Sequence, residues 1–132
     1  MTTDRLSNLV SSLKNASLAK KGVLEVFHSI ECEKVAEILK DRGFVSVVKV
    51  FKLPKSTGKK IHIELAETDG VYKLTEAKRI SKPGRRIYKG AKNLGASAGK
   101  FGVLIVSTPK GIMDGVIARK KNLGGEVLCE VS

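Results

Sequence analysis

The chain has 132 residues, of which 42% are hydrophobic, and its 25 Lys and Arg against 13 Asp and Glu give a formal net charge of +12. This length is sufficient for one domain, or two small lobes, with a buried core. No apolar run approaches the roughly 18 residues of a membrane span, and the first residues lack the apolar core of a signal peptide, so we expect a soluble, intracellular protein with no membrane partner.

The two cysteines, Cys32 and Cys129, limit the redox and metal chemistry. They are too few for a disulfide framework, and they lack the paired spacing of a zinc site. We therefore expect two buried thiols in a reducing compartment, and we expect neither a metal nor a cofactor.

The positive charge is concentrated in one part of the sequence. Residues 1–70 hold 12 Lys and Arg against 9 Asp and Glu, residues 71–121 hold 13 against 2, and residues 122–132 hold none against 2. A solvated surface is the usual alternative for basic residues, but an excess of this size is unfavourable unless a polyanion neutralises it. Nucleic acid is a better candidate than an anionic membrane, because no basic amphipathic helix carries the charge.

Two amphipathic helices are predicted in the first half. The first is capped by Thr2 or Thr3, and its apolar residues recur at the spacing of one helix face. These residues are Leu6, Leu9, Val10 and Leu13. The second helix follows Ser29, a predicted N-cap with acidic residues in the first turn behind it, and ends at Gly43.

Three strands complete the first half, at residues 23–28, 44–51 and 60–65. The last one alternates cleanly between apolar and polar residues. Ile61, Ile63 and Leu65 are predicted to point inward, and Lys60, His62 and Glu64 outward. Asp69-Gly70 is a turn signal. We therefore predict a first lobe over residues 1–69, ordered helix, strand, helix, strand, strand.

Residues 70–132 predict a second lobe that is mainly β with short helices, so the fold class is α+β. In order, its predicted elements are an extended segment at 71–81, a turn at 82–86, an extended segment at 87–89, a helical turn within 91–98, a strand at 101–106, a helix at about 112–121 and a strand at 126–131. In the last strand, Val127, Cys129 and Val131 are predicted on one face.

The segment that follows the apolar strand at 101–106 carries functional groups. Ser107 and Thr108 offer hydroxyls, Lys110 offers a positive charge, and Gly111 lets the backbone approach a ligand closely. The sequence predicts that these residues form an exposed loop and contact a bound molecule.

Enzymatic uses of the polar residues find little support. The glycine-rich segment 95–100 has one residue too few between its glycines for a phosphate-binding loop, and it precedes a strand. His28 and His62 have no carboxylate at a spacing that indicates an acid–base pair. Ser107 has no evident base, and the scattered carboxylates do not indicate a metal cluster. An RNA-processing enzyme or another RNA-binding assembly factor stays as the alternative.

Structured RNA is the ligand that suits the residue types best. Aromatic residues make up only 5% of the chain and Trp is absent, so a surface that stacks many bases is not indicated. Tyr88 lies among Arg85, Arg86 and Lys89, where it either contacts a sugar or base edge or is a half-buried core residue. No DNA-recognition helix is visible. We therefore expect recognition of RNA through shape, phosphates and 2′-hydroxyls.

Ordered motifs in this sequence resemble the bacterial type of the small-subunit ribosomal protein eight family over essentially the whole chain. They are Arg-Ile-Ser-Lys-Pro-Gly at 79–84, Arg-Ile-Tyr at 86–88, Ser-Thr at 107–108, Lys-Gly-Ile-Met at 110–113, Ala-Arg at 118–119, and Leu-Gly-Gly-Glu at 123–126 with Cys129. The first half matches more loosely, through Asp4, Leu9, Asn15-Ala16 and Gly43-Phe44. The resemblance implies a structural protein that binds the central domain of small-subunit ribosomal RNA, mainly through its C-terminal lobe, and supports assembly.

The resemblance implies further partners and a location. Neighbouring small-subunit proteins are expected as partners, protein five among them. Some family members also repress translation of their own operon by binding a similar structure in messenger RNA. The expected location is the cytoplasm, within the ribosome, with an organellar ribosome as the alternative.

Carried over by position, the family's RNA-contact residues fall mostly in the second lobe. The family's RNA-contact loop falls on Ser107, Thr108, Lys110 and Gly111, with Tyr88 and Glu126 as neighbours in the same site. The charge of this lobe, rather than the family pattern, adds the basic residues Lys82, Arg85, Arg86 and Lys89 as candidate RNA contacts. Glu126 either accepts a hydrogen bond from a base amino group or orients the loop. Lys14 and Asn15 are candidates for contact between the first lobe and a second RNA segment.

This chain departs from the family pattern at the loop. Pro109 stands where the family has a second serine, so one hydroxyl and one backbone N–H donor are missing. Because proline fixes φ near about −65°, we expect a stiffer loop with one contact fewer. Asp114, Gly115 and Val116 replace the usual Thr-Asp-Arg, and Arg85 stands where an apolar residue is common.

Overall fold

The computed structural model describes residues 5–54, 58–94 and 102–132. The chain divides into two compact units, residues 1–75 and 76–132. The predicted Thr2 or Thr3 cap, the glycine-rich segment 95–100, the end of the predicted helical turn at 91–98 and the start of the 101–106 strand lie outside the described residues.

Two helices and five strands are found among the described residues of the first unit. They are α1 Arg5–Leu18, β1 Val23–Phe27, α2 Ile30–Asp41, β2 Val45–Lys52, β3 Lys59–Leu65, β4 Glu67–Thr68 and β5 Val71–Tyr72. Strands β1, β3 and β2 form an antiparallel sheet in that order. The predicted boundary turn, Asp69-Gly70, joins β4 to β5 inside this unit.

The second unit is organised around a larger antiparallel sheet. Its described elements are β6 Ala77–Arg79, β7 Tyr88–Lys89, a 3-10 helix Ala91–Asn93, β8 Val103–Thr108, β9 Gly111–Asp114, α3 Gly115–Lys120 and β10 Gly125–Val131. The strand order is β6-β10-β8-β9, and β7 also pairs with β10. The α+β prediction is therefore confirmed.

Apolar periodicity accounts for how the helices of the first unit pack. The predicted stripe of α1 is buried, with Leu9 and Leu13 fully inaccessible, and α1 packs against β1 while α2 packs against β2. The predicted cap of α2 is also confirmed, because the Ser29 hydroxyl accepts the backbone N–H of Cys32 at 3.1 Å. Cys32 and Cys129 are both buried thiols outside a disulfide, as predicted.

The alternation predicted for β3 is confirmed. Ile61, Ile63 and Leu65 are buried, and the residues between them are partly exposed. The same face of the second unit's sheet that carries Val106 and Val127 packs against α3. No helix among the described residues combines the length and hydropathy that a membrane crossing requires.

A β-bulge changes the predicted facing of the last strand. Val127 pairs with Val106, whereas Cys129 pairs with Ile105, and the register shifts between them. Val106 and Ile105 are consecutive on β8 and point to opposite faces, so their partners do as well. The prediction that Val127 shares a face with Cys129 is therefore wrong, because one additional residue in β10 breaks the alternation.

Two other predicted elements of the second half are divided in the structure. The segment 71–81 contains two short strands, β5 and β6. It is divided because its backbone has two different partners: the N–H of Lys73 donates to Ala66, whereas Glu76 exchanges hydrogen bonds with Ser132. The predicted helix at 112–121 begins with β9, which pairs with β8. The helix itself starts at Gly115, where the Asp114 carboxylate accepts the N–H of Val116 at 2.8 Å.

Candidate nucleic-acid interface

A tight hairpin replaces the predicted loop at residues 107–111. Strand β8 continues through Thr108, which pairs with Gly111 at the start of β9, so only Pro109 and Lys110 form the turn. Ser107 and Thr108 are thus strand residues, and the prediction that they lie in a loop is wrong. Gly111 has φ of +120° in open surroundings, so the left-handed backbone rather than crowding favours glycine here.

The Thr108 hydroxyl holds this turn in shape. It donates to the carbonyl of Gly111 at 2.7 Å and accepts the backbone N–H of Lys110 at 3.2 Å. Thr108 is only 8% exposed. The hydroxyl therefore positions the exposed Lys110 instead of facing solvent.

One row of side chains crosses the sheet next to this hairpin. Ser107 on β8 pairs with Glu126 on β10, and Glu126 pairs with Tyr88 on β7. Directly paired residues of antiparallel strands point to the same face, and we call these three residues the Tyr88 row. Tyr88 is 69% exposed, which excludes the alternative of a half-buried core tyrosine.

An ion pair links the Tyr88 row to the basic segment before β7. The Arg86 guanidinium donates from Nη1 to Oε2 of Glu126 at 3.0 Å. The Glu126 side chain is only 16% exposed, whereas that of Arg86 is 50% exposed. Through this contact the Glu126 carboxylate holds a cation beside Tyr88, whereas the two roles predicted for Glu126, accepting a hydrogen bond from a base and orienting the 107–111 hairpin, stay predictions.

Two glycines allow the strands of this site to meet. A Cβ on Gly125 would lie 2.1 Å from the carbonyl oxygen of Ser107, and one on Gly124 would lie 2.8 Å from that of Lys89. Both separations are far below van der Waals contact, so side chains at these positions would push β8 and β7 away from β10. The absence of side chains at Gly124 and Gly125 therefore lets the three strands that carry the Tyr88 row lie close together.

The predicted turn at residues 82–86 is a short projecting hairpin. Lys82 and Arg85 exchange backbone hydrogen bonds of 3.0 and 2.9 Å around Pro83-Gly84. Gly84 has φ of +84°, which suits the third position of a type II turn with proline before it. Lys82 and Arg85 are both exposed.

The basic residues around β7 do not form one patch. Side chains alternate along an extended backbone, so Arg86 and Tyr88 point to the side of Glu126, and Arg85 and Lys89 point to the other side. There they line a cleft of about 390 Å³ together with Arg79, Ile80, Lys82 and Ile87. The candidate site thus has two separate faces.

The predicted site residues are divided between the two units. Ten of the twelve lie in the second unit: Ser107, Thr108, Lys110, Gly111, Tyr88, Arg86, Arg85, Lys82, Lys89 and Glu126. Lys14 and Asn15 lie in the first unit, both exposed on α1.

Both histidines have carboxylate partners, which corrects the sequence prediction. His28 Nε2 lies 2.6 Å from Glu33, and His62 contacts Glu64 at 2.9 Å and Glu25 at 3.3 Å. The hydrogen bond to Glu64 is the main cause that raises the pKa of His62 above 6.5, and the bond to Glu25 adds to it. Sequence spacing missed the contact with Glu25 because Glu25 on β1 is paired with His62 on β3, 37 residues away in the chain. The contacts with Glu33 and Glu64 are local, and they were missed although the residues are close in sequence.

Two further residues of the second unit were not singled out from the sequence as site residues. Arg79 lines the cleft, and its Nε donates to the carbonyl of Ser81. Ser81 is fully buried and hydrogen-bonded to Ile87. The sequence did contain an indication of the role of Ser81. Its hydroxyl comes shortly before the Pro-Gly turn, a position from which a side chain can hydrogen-bond to the other strand of a hairpin.

The fold and this surface define an α+β protein whose second unit combines an antiparallel sheet with an excess of basic side chains. The sequence of the whole chain matches a known family. The model of the family described as "Ribosomal protein S8" matches residues 4–132.

Individual relatives agree with this match along their full length. A protein named small ribosomal subunit protein uS8 from Chlamydia trachomatis serovar L2b is 35% identical over 131 residues, covering 99% of this chain and 98% of the relative. A protein of the same name from Maricaulis maris is 37% identical over 130 residues, covering 98% of this chain and 97% of the relative. Another, from Helicobacter acinonychis, is 34% identical over 133 residues, covering 99% of both chains.

The chain belongs to the ribosomal protein S8 family. The resemblance found in the sequence motifs is thereby confirmed. The protein is a structural, non-enzymatic constituent of the small ribosomal subunit.

Proposed function

We propose that this protein binds the central domain of small-subunit ribosomal RNA directly and supports assembly of the subunit. The observation that carries the proposal is the Tyr88 row, in which a hydroxyl, a carboxylate paired with Arg86 and an exposed phenol lie side by side. Such groups suit hydrogen bonds to base edges and 2′-hydroxyls in the shallow groove of an RNA helix.

The adjoining hairpin completes the proposed contact surface. Lys110 and Gly111 are exposed at its tip, and the Thr108 hydroxyl fixes their backbone. Ser107 and Thr108 therefore have different roles in the proposal. Ser107, on the Tyr88 row, contacts RNA, and Thr108 keeps the tip rigid so that little ordering accompanies binding.

The partners of this protein are ribosomal RNA and neighbouring small-subunit proteins, protein five among them, in a cytoplasmic ribosome. Lys14 and Asn15, exposed on α1, contact a second RNA segment. The same surface of the second unit binds a similar structure in the protein's own operon messenger RNA and represses its translation.

Equilibrium binding tests the main proposal. The probes are a transcript of the central domain of small-subunit ribosomal RNA and a transcript of equal length from another domain of that RNA, each at several salt concentrations. We expect clear preference for the central-domain transcript. Equal affinity for both transcripts would contradict the proposal.

Two variants connect that preference to the Tyr88 row. Ser107→Ala is expected to weaken binding of the central-domain transcript by roughly 1 kcal/mol, the net value of one lost hydrogen bond, without changing its salt dependence. Ser46→Ala is the matched control, because Ser46 is an exposed strand serine of the first unit whose hydroxyl donates to Glu64. Equal loss in both variants would remove Ser107 from the site.

A further inference from the structure

Four of the six residues that line the cleft beside β7 are basic. They are Arg79, Lys82, Arg85 and Lys89, and the other two are Ile80 and Ile87. No carboxylate is among these lining residues. Glu126 points to the opposite side of β7, where it holds Arg86.

Buried hydrogen bonds fix the frame of this cleft. The Ser81 hydroxyl accepts the backbone N–H of Ile87 at 2.9 Å and donates to the carbonyl of Ile87 at 3.3 Å, so it joins the two limbs of the projecting turn. The Nε of Arg79 donates to the carbonyl of Ser81, which holds that guanidinium at the base of the turn. The backbone that carries the basic side chains is therefore ordered before any ligand binds.

The arrangement of charge at the turn is unfavourable in the free protein. Lys82 and Arg85 are directly opposed across the hairpin, and like charges in opposed positions are destabilising. Within residues 5–54, 58–94 and 102–132, neither of them has an ion pair to a carboxylate. A bound anion would remove this repulsion.

We propose that this cleft binds the phosphodiester backbone of RNA and adds affinity without recognising sequence. The proposal rests on the proposed function, because it takes RNA as the ligand. Strand β7 then separates two contributions: the Tyr88 row contacts base edges and sugars on one side, and the cleft contacts phosphates on the other. Basic side chains on phosphates position an RNA but carry no sequence information.

The first test uses the full chain with the double variant Lys82→Gln/Arg85→Gln. The RNA probes are the central-domain transcript and an unrelated hairpin RNA of equal length. We expect affinity for both RNAs to fall by the same factor, about tenfold or more at 0.1 M salt. The slope of log affinity against log salt should become shallower by up to ~0.9 for each lost phosphate contact.

The matched control removes the same charge elsewhere. Lys34 and Lys40 are exposed on α2, and the variant Lys34→Gln/Lys40→Gln is expected to leave the slope nearly unchanged. Amide spectra of both variants verify that they are folded. An equal change of slope in the two variants, or a loss of affinity confined to the central-domain RNA, would overturn the proposal.

A second measurement does not depend on RNA preference. Titration with inorganic phosphate is expected to shift the backbone amide resonances of Lys82, Arg85 and Lys89 in the wild-type protein, and not in the double variant. Shifts that are absent, or spread evenly over exposed lysines, would contradict the cleft as a phosphate site. If the wild type fails to prefer the central-domain RNA, the proposed function fails, while this titration still decides the role of the cleft.

Discussion

The three-stranded sheet of the first unit and the larger sheet of the second unit carry their exposed charge in different ways. In the first unit, His62 is bonded to Glu64 and Glu25, and the Lys60 ammonium lies 5.1 Å from the centre of the Phe27 ring. In the second unit, the Lys82–Arg85 turn carries two cations with no described carboxylate partner. We therefore expect the Lys82–Arg85 turn to favour an anionic ligand more than the surface around His62 does, because an anion would neutralise the two opposed cations of the turn.

The largest expected effect concerns the packing beneath the Tyr88 row. Gly125→Ala places a Cβ 2.1 Å from the Ser107 carbonyl oxygen, so β8 and β10 must separate. We expect the free energy of unfolding to fall by at least about 2 kcal/mol, and RNA affinity to fall with it. Chemical denaturation and equilibrium binding measure the two effects.

Gly90→Ala is the matched control for that substitution. A Cβ on Gly90 meets nothing within 4 Å, and its φ of −73° is ordinary for alanine. We expect near wild-type stability and affinity. If both alanine variants behave alike, close approach of the strands is not what the Gly-Gly pair provides.

Exposed aromatic residues provide a direct contrast between the units. Tyr88 is 69% exposed and Phe27 is 54% exposed. Tyr88→Ala should weaken binding of the central-domain transcript by about fivefold or more, since it removes a phenol hydrogen bond worth roughly 1 kcal/mol together with the contact of the ring.

Phe27→Ala tests the other half of this contrast. It should leave RNA affinity nearly unchanged and lower stability by about 1 kcal/mol, because the ring interacts with Arg5 and Lys60. Loss of affinity in the Phe27 variant of the same size as in the Tyr88 variant would contradict the distinction between the two sheets.

The Thr108 hydroxyl is expected to affect stability and RNA binding by holding the turn at Pro109-Lys110 in shape. Thr108→Val removes its bonds to Gly111 and Lys110, which should lower the free energy of unfolding by about 1 kcal/mol or more and weaken RNA binding moderately. Thr108→Ser keeps the hydroxyl and should restore both properties. If serine fails to restore binding while stability recovers, the methyl group contributes to the contact.

The smallest expected effect is the pH dependence of the first unit. Since the pKa of His62 is raised above 6.5 by Glu64 and Glu25, the contribution of the charged pair to stability is fully present below about pH 6.5. It is lost as pH rises through the raised value. His62→Gln should therefore cost under about 1 kcal/mol at pH 6 and less at pH 8.5.

Denaturation of the wild type and of His62→Gln at the two pH values measures this effect. Glu64→Gln is the control, because it should reduce the same pH dependence by removing the nearer partner. A cost of His62→Gln that grows with pH would have the wrong sign for the pair described.

Periodic features of the sequence predicted the fold well. The α1 stripe, the Ser29 cap and the alternation of β3 depend on neighbouring residues in the chain, so local patterns contain the information. The motifs at residues 79–88 and 107–126 placed most of the predicted RNA-binding residues in the second unit. The bulge in β10 was missed because register is decided by the partner strand.

The candidate site was predicted as a set of residues but not as an arrangement. The sequence grouped three basic residues, Arg85, Arg86 and Lys89, as one patch. In the structure, the pairing of Tyr88 with Glu126 places Arg86 on the side of Glu126, and Arg85 and Lys89 line the cleft on the other side. Thr108 was expected in an exposed loop, and its hydroxyl is used within the turn. Both features arise from strand pairing between residues distant in sequence, which composition and spacing do not contain.

Crosslinking to total RNA tests the central claim most directly, with mapping of both the attached nucleotides and the attached amino acids. We predict nucleotides from the central domain of small-subunit ribosomal RNA, joined to the Tyr88 row and the hairpin tip at Lys110. Crosslinks scattered over unrelated RNAs, or joined mainly to the exposed sheet face around His62, would contradict the account.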